Sequence, residues 1–146
     1  MRRGEITLNG AGNGTLAGNR TVFLLDSLGE LAGIYRLADA VFVGGSLVPG
    51  GGHNILEPAA LGKDPVYGTS MENFREMAAI FTETGAGIQV RNGKELGSAW
   101  RTLLSDTERS ARMGAAAREL VEQCRGATRT ALDHITPLIN ASRGRS

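Results

Sequence analysis

The sequence predicts an α/β fold, a parallel sheet flanked by helices, on three observations. Short apolar runs recur along the chain, at Thr21–Asp26, Ala40–Gly44, Pro65–Tyr67 and Gly87–Val90. Segments whose apolar residues repeat at three- and four-residue spacing lie between and after them. Glycine, asparagine or proline punctuates most of the joins. Strands alternating with helices give a parallel sheet covered by helices through right-handed crossovers. Runs this short and uniformly apolar are those of strands buried on both faces.

The elements follow in order. Gly4 to Arg20, GEITLNGAGNGTLAGNR, is dense in glycine and asparagine and reads as a loop or flexible arm. Thr21–Asp26 is the first strand. Ser27 and Glu30 then form an S-x-x-E capping box ahead of a helix carrying Leu31, Ile34, Tyr35 and Ala38 on one side. Ala40–Gly44 is the second strand, and the loop after it leads to a helix opened by Asn54 and Glu57 and running through Leu61. Pro58 is comfortable only in the first turn of that helix. Pro65 is allowed as the first residue of a third strand.

Asn73 is placed to cap the next helix, whose apolar stripe is Phe74, Met77, Ala78 and Phe81, and Gly85 ends it. Gly87–Val90 is the fourth strand. After Asn92 and Gly93, the positions Leu96, Trp100, Leu103 and Leu104 define one helical face, and Asp106 caps a further helix that carries Met113, Ala117, Leu120, Val121 and Cys124 inward. Gly126 is read as separating it from a last helix, in which Leu132, Ile135 and Ile139 face the core and Pro137 bends the axis. The domain reading is a flexible glycine-rich segment at 1–20, one α/β domain at 21–141 and a short tail at 142–146.

Composition excludes several function classes. A chain of 146 residues suits one domain, and a domain near 150 residues buries about 68–70% of its unfolded surface without help from disulfides or metals. Sixteen basic and fifteen acidic residues leave a formal charge of +1, which lacks the electrostatic footprint of a dedicated nucleic-acid binder. The single Cys124 rules out an intrachain disulfide and any zinc site built from several cysteines. No apolar stretch after Met1 resembles a signal peptide, and no window reaches the roughly 18 apolar residues of a membrane span. Glycine is the outlier, 21 of 146 residues against a usual share of roughly 7%.

In open parallel sheets, ligands bind beyond the carboxyl ends of strands. Two segments are predicted to lie there, DSLGEL at Asp26–Leu31 and GGSLVPGGGHNILEPAA at Gly44–Ala60. Each offers a glycine-relaxed backbone, helix-start amides and a carboxylate, a combination that suits a phosphorylated ligand carrying a diol. The amides around Gly44, Gly45 and Ser46, or at the helix opened by Asn54, are the candidates for an anionic phosphate. Glu57 is suited to ribose hydroxyls and Glu30 to a second hydroxyl or a donor group of the base. Each also has a plainer reading: Glu30 as half of a capping box, Glu57 as a complement to a helix dipole, the glycines as an ordinary turn.

His53 is a candidate ligand contact, whereas His134 lies among apolar helical positions and reads as structural. Gly50–Gly52 match neither G-x-x-x-x-G-K-[ST] nor G-x-G-x-x-G. Ser46 is not in a G-x-S-x-G elbow, and no H-E-x-x-H is present.

DSLGEL, the seventeen-residue block ending in HNILEPAA, the later MENF, and Cys124-Arg125-Gly126-Ala127-Thr128 together resemble the 3-deoxy-D-manno-octulosonic acid (Kdo) transferases. The resemblance implies a Rossmann-like C-terminal half of a GT-B glycosyltransferase that holds CMP-Kdo, in an enzyme acting on lipid A precursors during lipopolysaccharide synthesis. It implies CMP contacts at Leu28, Gly29 and Glu30 and at Asn54, Ile55, Leu56 and Glu57, with Gly45, Ser46 and His53 as further donor contacts. Ser27 and Leu28 stand where the family often has Thr and Met, and GKDPVYGTSMENF departs from its commoner G-K-P-V-x-x-G-P-x-x-x-N-F.

The resemblance implies that the family's catalytic carboxylate base, acceptor site, membrane-associating segment and a Pro-Arg donor contact lie upstream of these residues, so the chain alone is expected to be inactive. No cofactor or metal is implied. The complete enzyme is expected at the cytoplasmic face of the bacterial inner membrane, with this piece soluble. Half of another GT-B enzyme using a UDP-sugar, and a noncatalytic nucleotide-binding module, are the alternative readings.

Overall fold

A computed structural model describes residues 4–6, 22–25 and 29–143. Its central unit is a parallel three-stranded sheet with strand order β3-β4-β5, where β3 is Val41–Val43, β4 Pro65–Tyr67 and β5 Ile88–Gln89. Val41 pairs with Pro65 and Val43 with Tyr67, and Val66 pairs with Ile88. Three of the four expected strands therefore form the expected parallel sheet.

The first strand behaves differently. β2, Val22–Leu24, pairs antiparallel with β1, Gly4–Ile6, in a separate two-stranded sheet. The expectation of a buried parallel strand at Thr21–Asp26 is corrected here, as is the reading of all of Gly4–Arg20 as loop. An apolar run fixes an extended backbone but not its partner, and the unpaired N–H and C=O groups of Val22–Leu24 find theirs in a segment nearby in sequence.

β4 shows why its residues read as doubly buried. Val66 points to one face, against Val90, Leu103 and Met113. Tyr67 points to the other, with Ile55, Ala59, Phe81, Ala117 and Val121. The alternation of strand side chains thus splits the core into two layers. The helices that cover them are α2 (Leu56–Ala60), α3 (Arg75–Glu83), α4 (Gly93–Ser105) and α5 (Thr107–Arg143).

The caps explain most helix boundaries. Asn92 Oδ1 accepts from the Glu95 amide at 3.0 Å, and Asp106 Oδ1 from the Arg109 amide at 2.9 Å. α3 ends in a Schellman pair, Ala86 N–H to Phe81 O at 2.9 Å and Gly85 N–H to Thr82 O at 3.3 Å. Asn73 does not cap α3, which follows a 3-10 turn at Glu72–Phe74 and has Phe74 at its N-cap. Its backbone N–H instead donates to Gly51 O at 3.0 Å, because the glycine loop passes directly beside it.

α5 corrects three expectations. It continues through Gly126 and contains Pro137, so there is one helix where two were expected. Cys124 is exposed, and Ile135 is 49% exposed instead of facing the core. On α4, Leu103 is buried but Leu104 is 54% exposed, since Leu96, Ala99, Trp100 and Leu103 complete the apolar face without it. The side chains of Leu132 and Ile139 lie outside the described residues.

Candidate functional site

The loop between β3 and α2 is folded back on itself. His53 N–H donates to Gly44 O at 3.2 Å and Gly52 N–H to Gly45 O at 3.0 Å, which closes the glycine stretch into a narrow ribbon. The Ser70 hydroxyl accepts from the Gly50 and Gly51 amides at 3.2 and 3.1 Å and donates to Glu72 Oε2 at 2.7 Å. That bond holds the Glu72 carboxyl below the usual carboxylate range. Gly52 adopts φ +70°, and a Cβ there would meet the Met71 sulfur and, at 3.0 Å, Ser70 O. The triple glycine is needed for this close approach of two loops.

Ser46, a candidate donor contact, belongs to the frame. It is fully buried, donates to Val43 O at 2.5 Å and accepts from the Gly68 amide at 2.8 Å. Its hydroxyl ties the end of β3 to the residue following β4 and is engaged with the backbone on both sides. Gly45 lies beneath the exposed His53 imidazole, with His53 Cδ2 and Nε2 both 3.5 Å from where a Gly45 Cβ would stand.

Asn54 organises the start of α2. Its Oδ1 accepts from the Leu56 amide at 3.0 Å and its Nδ2 donates to Glu57 Oε1 at 3.2 Å. The expected Asn54/Glu57 pair is real but takes the form of an Asx-type turn, and α2 begins at Leu56 with Ile55 at its N-cap. Ile55 is fully buried in the core, so its side chain anchors the turn and only its backbone remains for a ligand. Pro58 sits in the first turn, as its missing N–H requires.

Of the other segment, Leu28 lies outside the described residues, as does Ser27. Gly29 and Glu30 are exposed immediately before α1 (Leu31–Tyr35). Gly29 has φ +87°, which a right-handed helix cannot contain, so the helix starts at Leu31 and Glu30 does not occupy the third helical position a capping box needs. Because β2 is not in the parallel sheet, the two segments are not neighbours along one sheet edge. What brings them near is helix packing. α1 packs on α2, and the Tyr35 hydroxyl is raised above its ordinary pKa by burial and by the Glu57 carboxylate.

Between α1, α2 and α5 lies a cavity of about 530 Å³, lined among others by Ala32, Asn54, Glu57, Cys124 and Arg125. Its volume is in the range of small-molecule and cofactor sites, about 300–1,000 Å³. A second cavity of about 380 Å³ lies across α3, with Thr69, Glu72, Arg75 and Gln89 in its wall. The place of Arg125 in this wall is not legible in the sequence, since packing of α5 against α2 brings it there. Among the described residues, no group of three or more His, Cys, Asp or Glu side chains is arranged to hold a metal ion, and no helix is long and apolar enough to cross a membrane.

No family model matches the chain. Individual proteins do. A 3-deoxy-D-manno-octulosonic acid transferase of Haemophilus influenzae is 38% identical over 83% of this chain and 29% of its own length. The corresponding transferase of Bordetella pertussis is 33% identical over 84% of this chain and 29% of its own length. The chain thus spans under a third of these relatives. Among solved structures, the C-terminal CMP-Kdo binding domain of WaaA from Acinetobacter baumannii is 37% identical, with a TM-score of 0.63 over 68% of this chain and 51% of that one. The parallel sheet with its flanking helices and these similarities agree: over most of its length the chain is similar to Kdo transferases, and to the C-terminal CMP-Kdo binding domain of one of them.

Proposed function

We propose that this chain is the donor-holding part of a Kdo transferase and binds the CMP portion of CMP-Kdo in the cleft between α1, α2 and α5. The observation that carries the reading is the turn at Asn54, which aims Glu57 into a nucleotide-sized cavity at the end of the glycine block. Glu57 accepts hydrogen bonds from ribose hydroxyls, and Glu30 with the Gly29 backbone meets a further hydroxyl or the base. Leu28 and the backbone of Ile55 and Leu56 complete the CMP contacts, and His53 above Gly45 meets the donor beyond the phosphate.

In the complete enzyme the bond between the anomeric carbon of Kdo and the phosphate oxygen breaks, and CMP leaves with the electron pair. A hydroxyl of a lipid A precursor forms the new glycosidic bond and loses its proton to a base. By the resemblance to the Kdo transferases that base is expected in another part of the enzyme, and general-base assistance is typically worth 10²–10⁴-fold. The chain alone therefore binds donor nucleotide but does not turn over, and the full enzyme works at the cytoplasmic face of the inner membrane.

Calorimetric titration of CMP, UMP and UDP into wild type and Glu57→Ala tests the site. CMP is expected to bind best. Loss of hydrogen bonds to a charged group, about 1.5–3 kcal/mol, is expected to weaken CMP binding by about tenfold or more in the variant. Equal binding of all three nucleotides, or the same CMP affinity in both proteins, contradicts the assignment.

A further inference from the structure

We propose that Ser70 and Glu72 are positioning residues for the donor site: together they clamp the glycine loop, and the clamped loop sets where His53 and the Asn54–Glu57 turn stand. The inference rests on the nucleotide reading of that turn. Successive glycines carry the largest backbone freedom to lose on ordering. A loose Gly50–Gly52 stretch would have to be ordered each time a ligand binds, and affinity would fall accordingly.

The successive amides of Gly50 and Gly51 converge on one oxygen, the Ser70 hydroxyl, at 3.2 and 3.1 Å. Consecutive N–H groups aimed at one point form a nest that attracts negative charge. A hydroxyl has two lone pairs and one hydrogen, so it accepts from both amides only while its hydrogen points elsewhere. Glu72 Oε2 takes that hydrogen at 2.7 Å. The carboxylate thereby fixes the hydroxyl rotor and polarises its oxygen towards the two amides. Glu72 is exposed, and the Ser70 hydroxyl, its own backbone amide and Arg75 all favour its ionised form. The acceptor is therefore in place at neutral pH.

The clamp is continuous with the candidate donor contacts. Ser70 N–H donates to Ser46 O at 2.9 Å, Asn73 N–H to Gly51 O at 3.0 Å and Asn73 Nδ2 to Gly52 O at 3.4 Å. The next residue, His53, has its N–H tied to Gly44 O at 3.2 Å and its ring beside Gly44 and Gly45. Asn54 then begins the turn that carries Glu57. Neither Ser70 nor Glu72 lines the cavity between α1, α2 and α5, so both act through the loop and not by touching the nucleotide.

The test combines CMP titration, hydrogen exchange at the Gly50 and Gly51 amides, and urea midpoints for wild type, Ser70→Ala, Glu72→Ala and Glu72→Gln. Ser70→Ala removes a buried group and is expected to lower the midpoint, whereas Glu72→Ala changes an exposed one and is expected to keep it. Both are expected to speed exchange of the two glycine amides. A loop that is binding-competent a tenth of the time weakens apparent affinity about tenfold, the loss expected for Ser70→Ala measured well below its midpoint. Glu72→Ala leaves the hydroxyl but frees its rotor, and is expected to lose about threefold. Glu72→Gln offers a carbonyl oxygen to the same hydrogen and is expected to bind CMP nearly as well as wild type. An unchanged CMP affinity in Ser70→Ala despite faster exchange overturns the positioning role while leaving the nucleotide site standing. So does a Glu72→Gln protein that binds no better than Glu72→Ala. Failure of the wild type to bind CMP overturns the nucleotide reading itself, and the positioning role with it.

Discussion

Ser46 distinguishes support of the site from membership of it. Ser46→Ala removes the hydroxyl that donates to Val43 O and accepts from the Gly68 amide, and the residue is fully buried. Both backbone groups lose their side-chain partner where water does not replace it. Each unsatisfied buried group costs about 1–3 kcal/mol, and the two loops already lie so close that a Cβ at Gly68 would collide with Ser46 O. The expected loss is about 3 kcal/mol, or about 6–12 °C in Tm for a domain of this size. In urea it corresponds to a midpoint lower by about 1.5 M for a slope near 2 kcal/mol/M. CMP affinity, measured well below the shifted midpoint, is expected to be preserved within about threefold, because the hydroxyl touches no ligand. A variant with wild-type stability and abolished CMP binding would refute this placement of Ser46.

Three further expectations follow from other residues. Gly52→Ala forces a Cβ into the Met71 sulfur at a backbone φ of +70°, and left-handed strain of roughly 1–2 kcal/mol plus overpacking of roughly 1–3 kcal/mol should lower the urea midpoint as far as Ser46→Ala does. Asp64 is buried, accepts from the Ser110 hydroxyl at 3.1 Å, and has its pKa raised by burial. A raised carboxylate pKa means that the folded state holds the proton longer, so its contribution to stability is present below the unfolded value of about 3.9 and declines as pH rises through the folded value. The stability difference between Asp64→Asn and wild type should therefore grow in favour of the variant from about pH 4 upward, read from urea midpoints across pH. A difference that does not change with pH contradicts this. Cys124 is exposed at the cleft, so a thiol reagent should modify it and saturating CMP should slow that reaction severalfold, with cytosine alone having little effect.

Much of the fold was legible because its signals are local. Alternation at Val66 and Tyr67, the caps at Asn92 and Asp106, and the glycine stop at Gly85 each follow from a few neighbouring residues. The errors arose where the deciding partner is distant in space or where two local signals compete. Val22–Leu24 was recognisable as a strand, but its antiparallel partner at Gly4–Ile6 was hidden in a stretch dominated by turn formers. Gly126 reads as a break, yet α5 passes through it, since a glycine within a helix costs only roughly 1 kcal/mol against alanine.

The site divides the same way. Asn54 and Glu57 were legible as a pair because the turn that joins them spans four residues. The role of Ser46 in the frame is not legible in the sequence, because only the fold shows that Gly68 lies against it. Arg125 is visible as part of a motif, but its place in the wall of the cavity that Glu57 also lines depends on α5 packing on α2, which no spacing in the sequence encodes.

The central claim is that nucleotide sits between α1, α2 and α5, and amide chemical-shift mapping during a CMP titration tests it most directly. The account predicts that Gly29, Glu30, Asn54–Glu57, Cys124 and Arg125 move together with one affinity, while Thr69, Arg75 and Gln89 around the second cavity stay fixed. Shifts concentrated at Thr69, Arg75 and Gln89, with the α2 start unmoved, would contradict it.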